Sequence, residues 1–370
     1  MRIISQLVPN GKPVSTDIEA TRQPGETAWE IPTWGHPLAL GVYPVFVTKA
    51  RRLIPAATAS CISNLGVSIT ALGGVIDAAR RHGHDEFLRQ MECRPSSNAK
   101  TAIGMAIFHH HAPPGGKLSG DLWNVESIEG APPTDVGYLF PQFLGGSPYL
   151  PLPISFGVPL IGSRVICVGF SDPEISDGAL SLDDIQSGRT KLLDVYEHKL
   201  LAVEGHVNRI FTKSFADGSV GGPCFTIDAE IKRDMAGGPV FSENGYICGV
   251  ISAPATDYFG GPTSIVSLLY PTLMMSIRFG GQLGTVRISS KRPLVELIAQ
   301  GAIITDGSEK LVAMREEGGE FFLYPPIQGE DVEGIYDDLP SFREGRHSAR
   351  KSIDAFRFSD KCHKKNGQPS

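Results

Sequence analysis

The residues of this 370-residue chain best suited to chemistry lie in one loop, Asp234-Met235-Ala236-Gly237-Gly238-Pro239-Val240-Phe241. Two consecutive glycines let the backbone turn tightly and bring N–H groups against a bound carbonyl, and the proline then fixes the direction of the following strand. N–H groups held that way stabilise negative charge developing on a carbonyl oxygen, which is what acyl transfer needs. None of the loop's own side chains is a hydroxyl or thiol that could attack a carbonyl. The histidines offer less. His82 and His84 flank a glycine among charges, the pattern of a solvated turn. The run His109-His110-His111 points alternately to opposite faces of an extended chain, a poor chelating set, and is expected at a surface strand end. Cysteines at 61, 93, 167, 224, 248 and 362 have no CxxC spacing and several sit in apolar runs, so reduced thiols are expected, with no disulfide framework, no metal and no cofactor.

The elements that must hold the loop are short strands. Val240-Phe241 and the run Ile247-Cys248-Gly249-Val250-Ile251 read as an apolar hairpin turned at Glu243-Asn244-Gly245. Loop and hairpin together resemble the nucleophile loop of a trypsin-like serine protease, with alanine in place of serine. Two further stretches carry the resemblance, in the right order. Ala57-Thr58-Ala59-Ser60-Cys61 is similar to the family's Thr-Ala-Ala-His-Cys, which puts Ser60 at the histidine position, and Thr134-Asp135-Val136-Gly137-Tyr138-Leu139 is similar to the run carrying the triad aspartate, which makes Asp135 its match. The resemblance covers about 30–280. It implies an all-β fold of two six-stranded antiparallel β-barrels, closed by a short helix at 271–279 and followed by a C-terminal extension. It also implies a cleft between the barrels in which substrates lie extended against a strand edge near Ser252-Ala253-Pro254.

The same resemblance implies lost catalysis. A serine protease needs an activated hydroxyl, an imidazole base, a carboxylate to orient it and N–H donors for the oxyanion. Here the nucleophile position is Ala236 and the base position Ser60, whose hydroxyl cannot take a proton at neutral pH. Asp234 replaces the first loop glycine and would repel developing negative charge; Met235 replaces the aspartate that pairs with a freed N-terminus in secreted members. Gly237 and Gly238 complete the loop. The expected role is therefore a pseudoprotease that binds a peptide or protein in the former active-site cleft. The alternative is a working endopeptidase that takes its base from His36, His109, His110, His111, His198 or His206, or a natural enzyme represented by a substituted variant.

Composition agrees with a β-rich chain: 42 glycines, 28 prolines and only short apolar runs. A net charge of -6 argues for no global attraction to nucleic acid or an anionic membrane. With no signal-like or membrane-spanning run, a cytoplasmic protein is expected. Residues 1–28 read as an extended or poorly ordered leader, 29–148 and 149–285 as the two barrels, and 286–370 as the extension. Within these, 65–95 reads as a partly helical insertion, and Pro293-Leu294-Val295-Glu296-Leu297-Ile298-Ala299-Gln300-Gly301 as a short amphipathic helix with a glycine stop. The basic tail at 343–365 is a solvated end or an arm for an electrostatic partner.

Overall fold

The structure, a computed structural model, describes residues 1–49, 52–81, 104–111, 119–130, 134–141, 148–175, 181–187, 189–212, 214–215, 220–255, 261–283, 286–317 and 320–324. His82, His84, Cys93, Cys362 and the basic tail lie outside these residues.

The chain opens with an antiparallel hairpin, β1 (Arg2–Leu7) and β2 (Lys12–Asp17), in which Arg2 faces Asp17. Ile3 and Ile18 are fully buried, so the stretch read as an extended or poorly ordered leader is folded against the core. Next comes β3 (Ala28–Ile31), and then the first barrel: β4 (Val42–Lys49), β5 (Arg52–Cys61), β6 (Ser68–Ala71), helix α1 (Leu72–Arg81), β7 (Met105–His111), β8 (Ser119–Gly130) and β9 (Val136–Pro141). Its strands close in the order β4-β5-β6-β9-β8-β7. Period-two alternation puts Tyr43, Val45 and Val47 of β4 and Ala57, Ala59 and Cys61 of β5 into one core with Ile107, Trp123 and Leu139. The expected insertion at 65–95 begins as barrel strand β6 and runs directly into α1, whose Val75, Ala78 and Ala79 join that core.

The second barrel consists of β10 (Arg164–Ile175), β11 (Tyr196–Phe211), β12 (Cys224–Ile227), β13 (Pro239–Ser242), β14 (Ile247–Pro254) and β15 (Ser264–Leu268), with a short helix α2 (Leu182–Gln186) between β10 and β11. These strands follow the order β10-β13-β14-β15-β12-β11, and β10 pairs again with β11, which closes the ring. The fold is thus two closed six-stranded antiparallel barrels. One strand sits with the unexpected partner: β3 pairs with β11, Trp29 facing Ala202, and so extends the second barrel although it precedes the first. The expected barrel boundary at residue 29 therefore splits this strand from its sheet.

Beyond β15 the expected helix at 271–279 is replaced by a 3-10 turn at Tyr270–Thr272 and the strand β16 (Ser276–Leu283), paired with β17 (Val286–Pro293). The helix read from 293–301 is present as α3 (Leu294–Ala299), ended by Gly301 at φ 71°. Last come β18 (Ala313–Glu317) and β19 (Glu320–Tyr324), paired with each other. Leu294 and Leu297 of α3 and Ile303 pack on the second-barrel core, so the extension begins as part of the folded body. No helix among the described residues is long and apolar enough to cross a membrane, and none of their His, Cys, Asp and Glu side chains form a group of three suited to a metal. Cys61, Cys167, Cys224 and Cys248 are buried.

Candidate functional site

The barrels meet at β5 and the loop before β13. The Thr58 N–H donates to the Ala236 carbonyl at 2.7 Å, and the Thr58 hydroxyl accepts the Phe170 N–H at 2.9 Å, so a single threonine ties the first barrel to two elements of the second. The loop passes this junction only because of its glycines. Gly237 has φ 87°, and a Cβ there would lie 2.1 Å from the Thr58 carbonyl oxygen; one on Gly238 would lie 2.0 Å from that of Val168. Met235 is fully buried in the second-barrel core, packed over Gly169. Ala236 is left at the surface of a cleft of about 630 Å³, which Asp135, Asp234, Ser252, Ala253 and Pro254 also line.

Ser60 is the exception. It is fully buried on β5, opposite Val42 and Ile69, and does not line the cleft. Its neighbours Ala59 and Cys61 face the first-barrel core, so strand alternation turns Ser60 to the other face, where its hydroxyl has no hydrogen-bond partner. The assignment of Ser60 to the histidine position is therefore corrected. Between Asp135 and Ala236 stands a different run, Thr70-Ala71-Leu72-Gly73-Gly74, at the passage from β6 into α1. Asp135 Oδ1 accepts the Gly73 N–H at 2.5 Å, and the Asp135 carbonyl accepts the Leu72 N–H at 2.8 Å. A Cβ on Gly73 would fall 3.0 Å from Asp135 Oδ1, and one on Gly74 would fall 3.3 Å from the Ala236 Cβ. Gly73-Gly74 thus lies between the Asp135 carboxylate and Ala236, and neither residue carries a side chain.

The loop's own hydrogen bonding is equally informative. Arg233–Met235 forms a 3-10 turn in which the Ala236 N–H donates to the Arg233 carbonyl at 3.1 Å. That N–H is thus engaged within its own chain. The Arg233 guanidinium pairs with Asp77 of α1 at 3.0 Å, and Asp77 also meets Arg80 at 3.9 Å, which pins the turn to the helix. These charged residues, together with Arg81, form the rim of the cleft.

Burial of Asp135 raises its carboxyl to about 6, against hydrogen bonds from the Gly73 N–H and the Ser252 hydroxyl; the negative charge of Asp77 adds to the rise. No histidine lines the cleft among the described residues. His36 accepts the Leu38 N–H ahead of a 3-10 turn, and His206 sits half exposed beside Asp228. His109 and His110, expected at the surface, are buried. His109 stacks on Trp123 inside the first barrel with centroids 4.1 Å apart, whereas His110 faces the second barrel, its Nε2 2.9 Å from Nε2 of His198. Burial lowers His198 to about 4.

Gly73, Gly74, Asp77 and the rim arginines were not singled out by the sequence reading. The signal for the glycines was Thr70-Ala71 followed at once by a helix-like run.

No protein-family model and no curated protein sequence matches the chain. Among solved structures, the chain is similar to the active form of the Rv3671c protease from M. tuberculosis, at 16% identity over 62% of this chain and 77% of that one, with a TM-score of 0.37. It is similar to the MamO protease domain from Magnetospirillum magneticum at 14% identity, covering 63% and 94% of the two chains with a TM-score of 0.36. For Deg5 the values are 15% identity, 65% and 89% coverage, and a TM-score of 0.40. The double barrel rests on this chain's own strand pairing.

Proposed function

We propose that this chain is a trypsin-like serine protease homologue without protease chemistry, and that its inter-barrel cleft binds an extended peptide or protein segment. The observation that carries the first half is the row Asp135, Gly73, Gly74, Ala236: the carboxylate is in place, with neither base nor nucleophile beside it. The closed oxyanion turn at Arg233–Met235 supports it. The second half rests on β14. Its pairing with β13 ends at Val250, while β15 continues alongside Ala253 and Pro254. Among the described residues, one edge of Ser252-Ala253-Pro254 is therefore free of sheet pairing where the strand lines the cleft, and such an edge takes a ligand by strand addition.

Two measurements test this. The purified chain should stay unlabelled by a fluorophosphonate probe; stoichiometric labelling of any serine would overturn the inactive reading. Binding to an array of unstructured peptides should vary little between low and physiological salt and survive removal of residues 340–370, because main-chain hydrogen bonds would supply the affinity. Binding that disappears with the tail, or falls steeply with salt, would transfer function to the basic arm.

A further inference from the structure

Asp135 is a partly buried carboxyl group lining the cleft, with no cation paired to it among the described residues. The carboxylate accepts the Gly73 N–H, while the Ser252 hydroxyl nearby lies 2.7 Å from that of Ser267, so acceptor capacity is left unused, since a carboxylate offers about four lone-pair sites. The groups around it do not neutralise it. From α1 come the Gly73 N–H and Asp77, whose charge disfavours ionisation, and from β14 the Ser252 hydroxyl. The arginines of the rim are engaged elsewhere: Arg233 and Arg80 with the Asp77 carboxylate, and the Arg81 Nε with the Asp77 carbonyl. Asp234 adds a further negative charge to the lining. Gly73 and Asp135 both line the cleft, and the three atoms nearest a Cβ built on Gly73 all belong to the Asp135 carboxyl group.

We propose that this space is a subsite for a cationic hydrogen-bond donor, an arginine, lysine or histidine side chain carried by the segment bound in the cleft, which enters over Gly73 and pairs with Asp135. The inference rests on the reading of the cleft as a peptide site and adds to it the class of side chain the site selects. Glycine at 73 is what leaves room, and the carboxylate supplies the selectivity. An ion pair formed away from water holds its partner more strongly than the same pair at the surface, and a neutral isostere would leave the charge buried and unpaired.

The test uses methylguanidinium as the probe and N-methylurea, close in shape and uncharged, as its control, on the full chain. With a carboxyl near 6, the ionised fraction rises from about one tenth at pH 5 to about nine tenths at pH 7, so methylguanidinium should bind about tenfold more tightly at pH 7. Carbon-13 spectra of labelled aspartate should show the Asp135 titration displaced to lower pH by the probe. Gly73→Ala, which places a methyl group against Asp135, should abolish binding, as should Asp135→Asn. The titration of the unsubstituted protein stands by itself if either variant fails to fold. Equal binding of N-methylurea, an affinity unchanged between pH 5 and 7, or an Asp135 titration untouched by the probe would overturn the proposal. If methylguanidinium fails while array peptides still bind, the subsite is wrong and the edge reading stands; if it binds as expected while no peptide does, the subsite stands and the edge reading falls.

Discussion

Asp135 grips the backbone of Gly73, its Oδ1 2.5 Å from the amide nitrogen, and so anchors the first turn of α1. On the function proposed above, the residue held in this way stands where a base would be and has no side chain.

That arrangement directs any attempt to restore chemistry. Ala236→Ser alone should remain unlabelled by fluorophosphonate, since the loss of a base costs on the order of 10^6-fold in turnover whether or not the nucleophile is present. Gly73→His with Ala236→Ser should give slow labelling, limited by the Arg233 carbonyl held in the oxyanion turn. Ser60→His with Ala236→Ser should give none, because residue 60 lies outside the cleft.

Asp135 also sets a pH dependence of stability. Its carboxyl, near 3.8 when unfolded and about 6 when folded, favours the native state fully below pH 3.8, and that contribution is lost as pH rises through 6. Two units correspond to about 2 to 3 kcal/mol. Urea denaturation at pH 4 and pH 7 should show this loss in the unsubstituted chain. In Asp135→Asn the contribution of this residue to the difference should vanish.

The opposite sign is expected at Glu19. The Arg164 guanidinium holds its carboxyl down at about 2, so its contribution is complete above 4.5 and fades as pH falls towards 2. Arg164 also pairs with Glu204, which Arg22 meets at 2.6 Å. Arg164→Met should cost about 1 to 3 kcal/mol at neutral pH, reduced by the partial exposure of the network, and little at pH 2. Acid titration of stability in the two proteins checks it.

Gly237→Ala should destabilise the protein by roughly 3 kcal/mol or more, since it combines a left-handed backbone with a clash against the Thr58 carbonyl. Thermal unfolding is the measurement. The neighbouring exposed position Asp234, changed to alanine, should move it by less than about 0.5 kcal/mol.

How much of this was legible in the sequence varies with how local the signal is. The Gly237-Gly238-Pro239 loop and its hairpin could be read because turn chemistry is written in adjacent residues. The strand that follows Asp135 could be read from its apolar run and is present as β9. Ser60 was misassigned because two stretches offer a Thr-Ala pair, and the one with a cysteine at the end matched better by letters; only folding shows that β5 turns Ser60 away and that β6 delivers Gly73. The consecutive burial of His109 and His110 could not be foreseen either. A strand with one wet face would expose one of the two, whereas β7 has its own barrel core on one face and Phe170 and His198 on the other. The helix expected at 271–279 gave way to β16 because a partner strand, β17, lies close behind it in sequence, and pairing outweighs weak local preference.

The placement of β3 bears on the order in which the molecule is completed during synthesis. Residues 28–31 leave the ribosome ahead of every strand of the first barrel, yet the strand they pair with, β11, spans 196–211. The first barrel has all its strands once residue 141 has emerged, while β3 must wait for a partner some 170 residues downstream. During that interval Trp29 and Ile31, fully covered in the finished structure, have no sheet to join. A ribosome stalled so that residue 141 but not residue 196 has emerged should therefore carry a chain with a protease-resistant first barrel and a protease-sensitive segment in front of it.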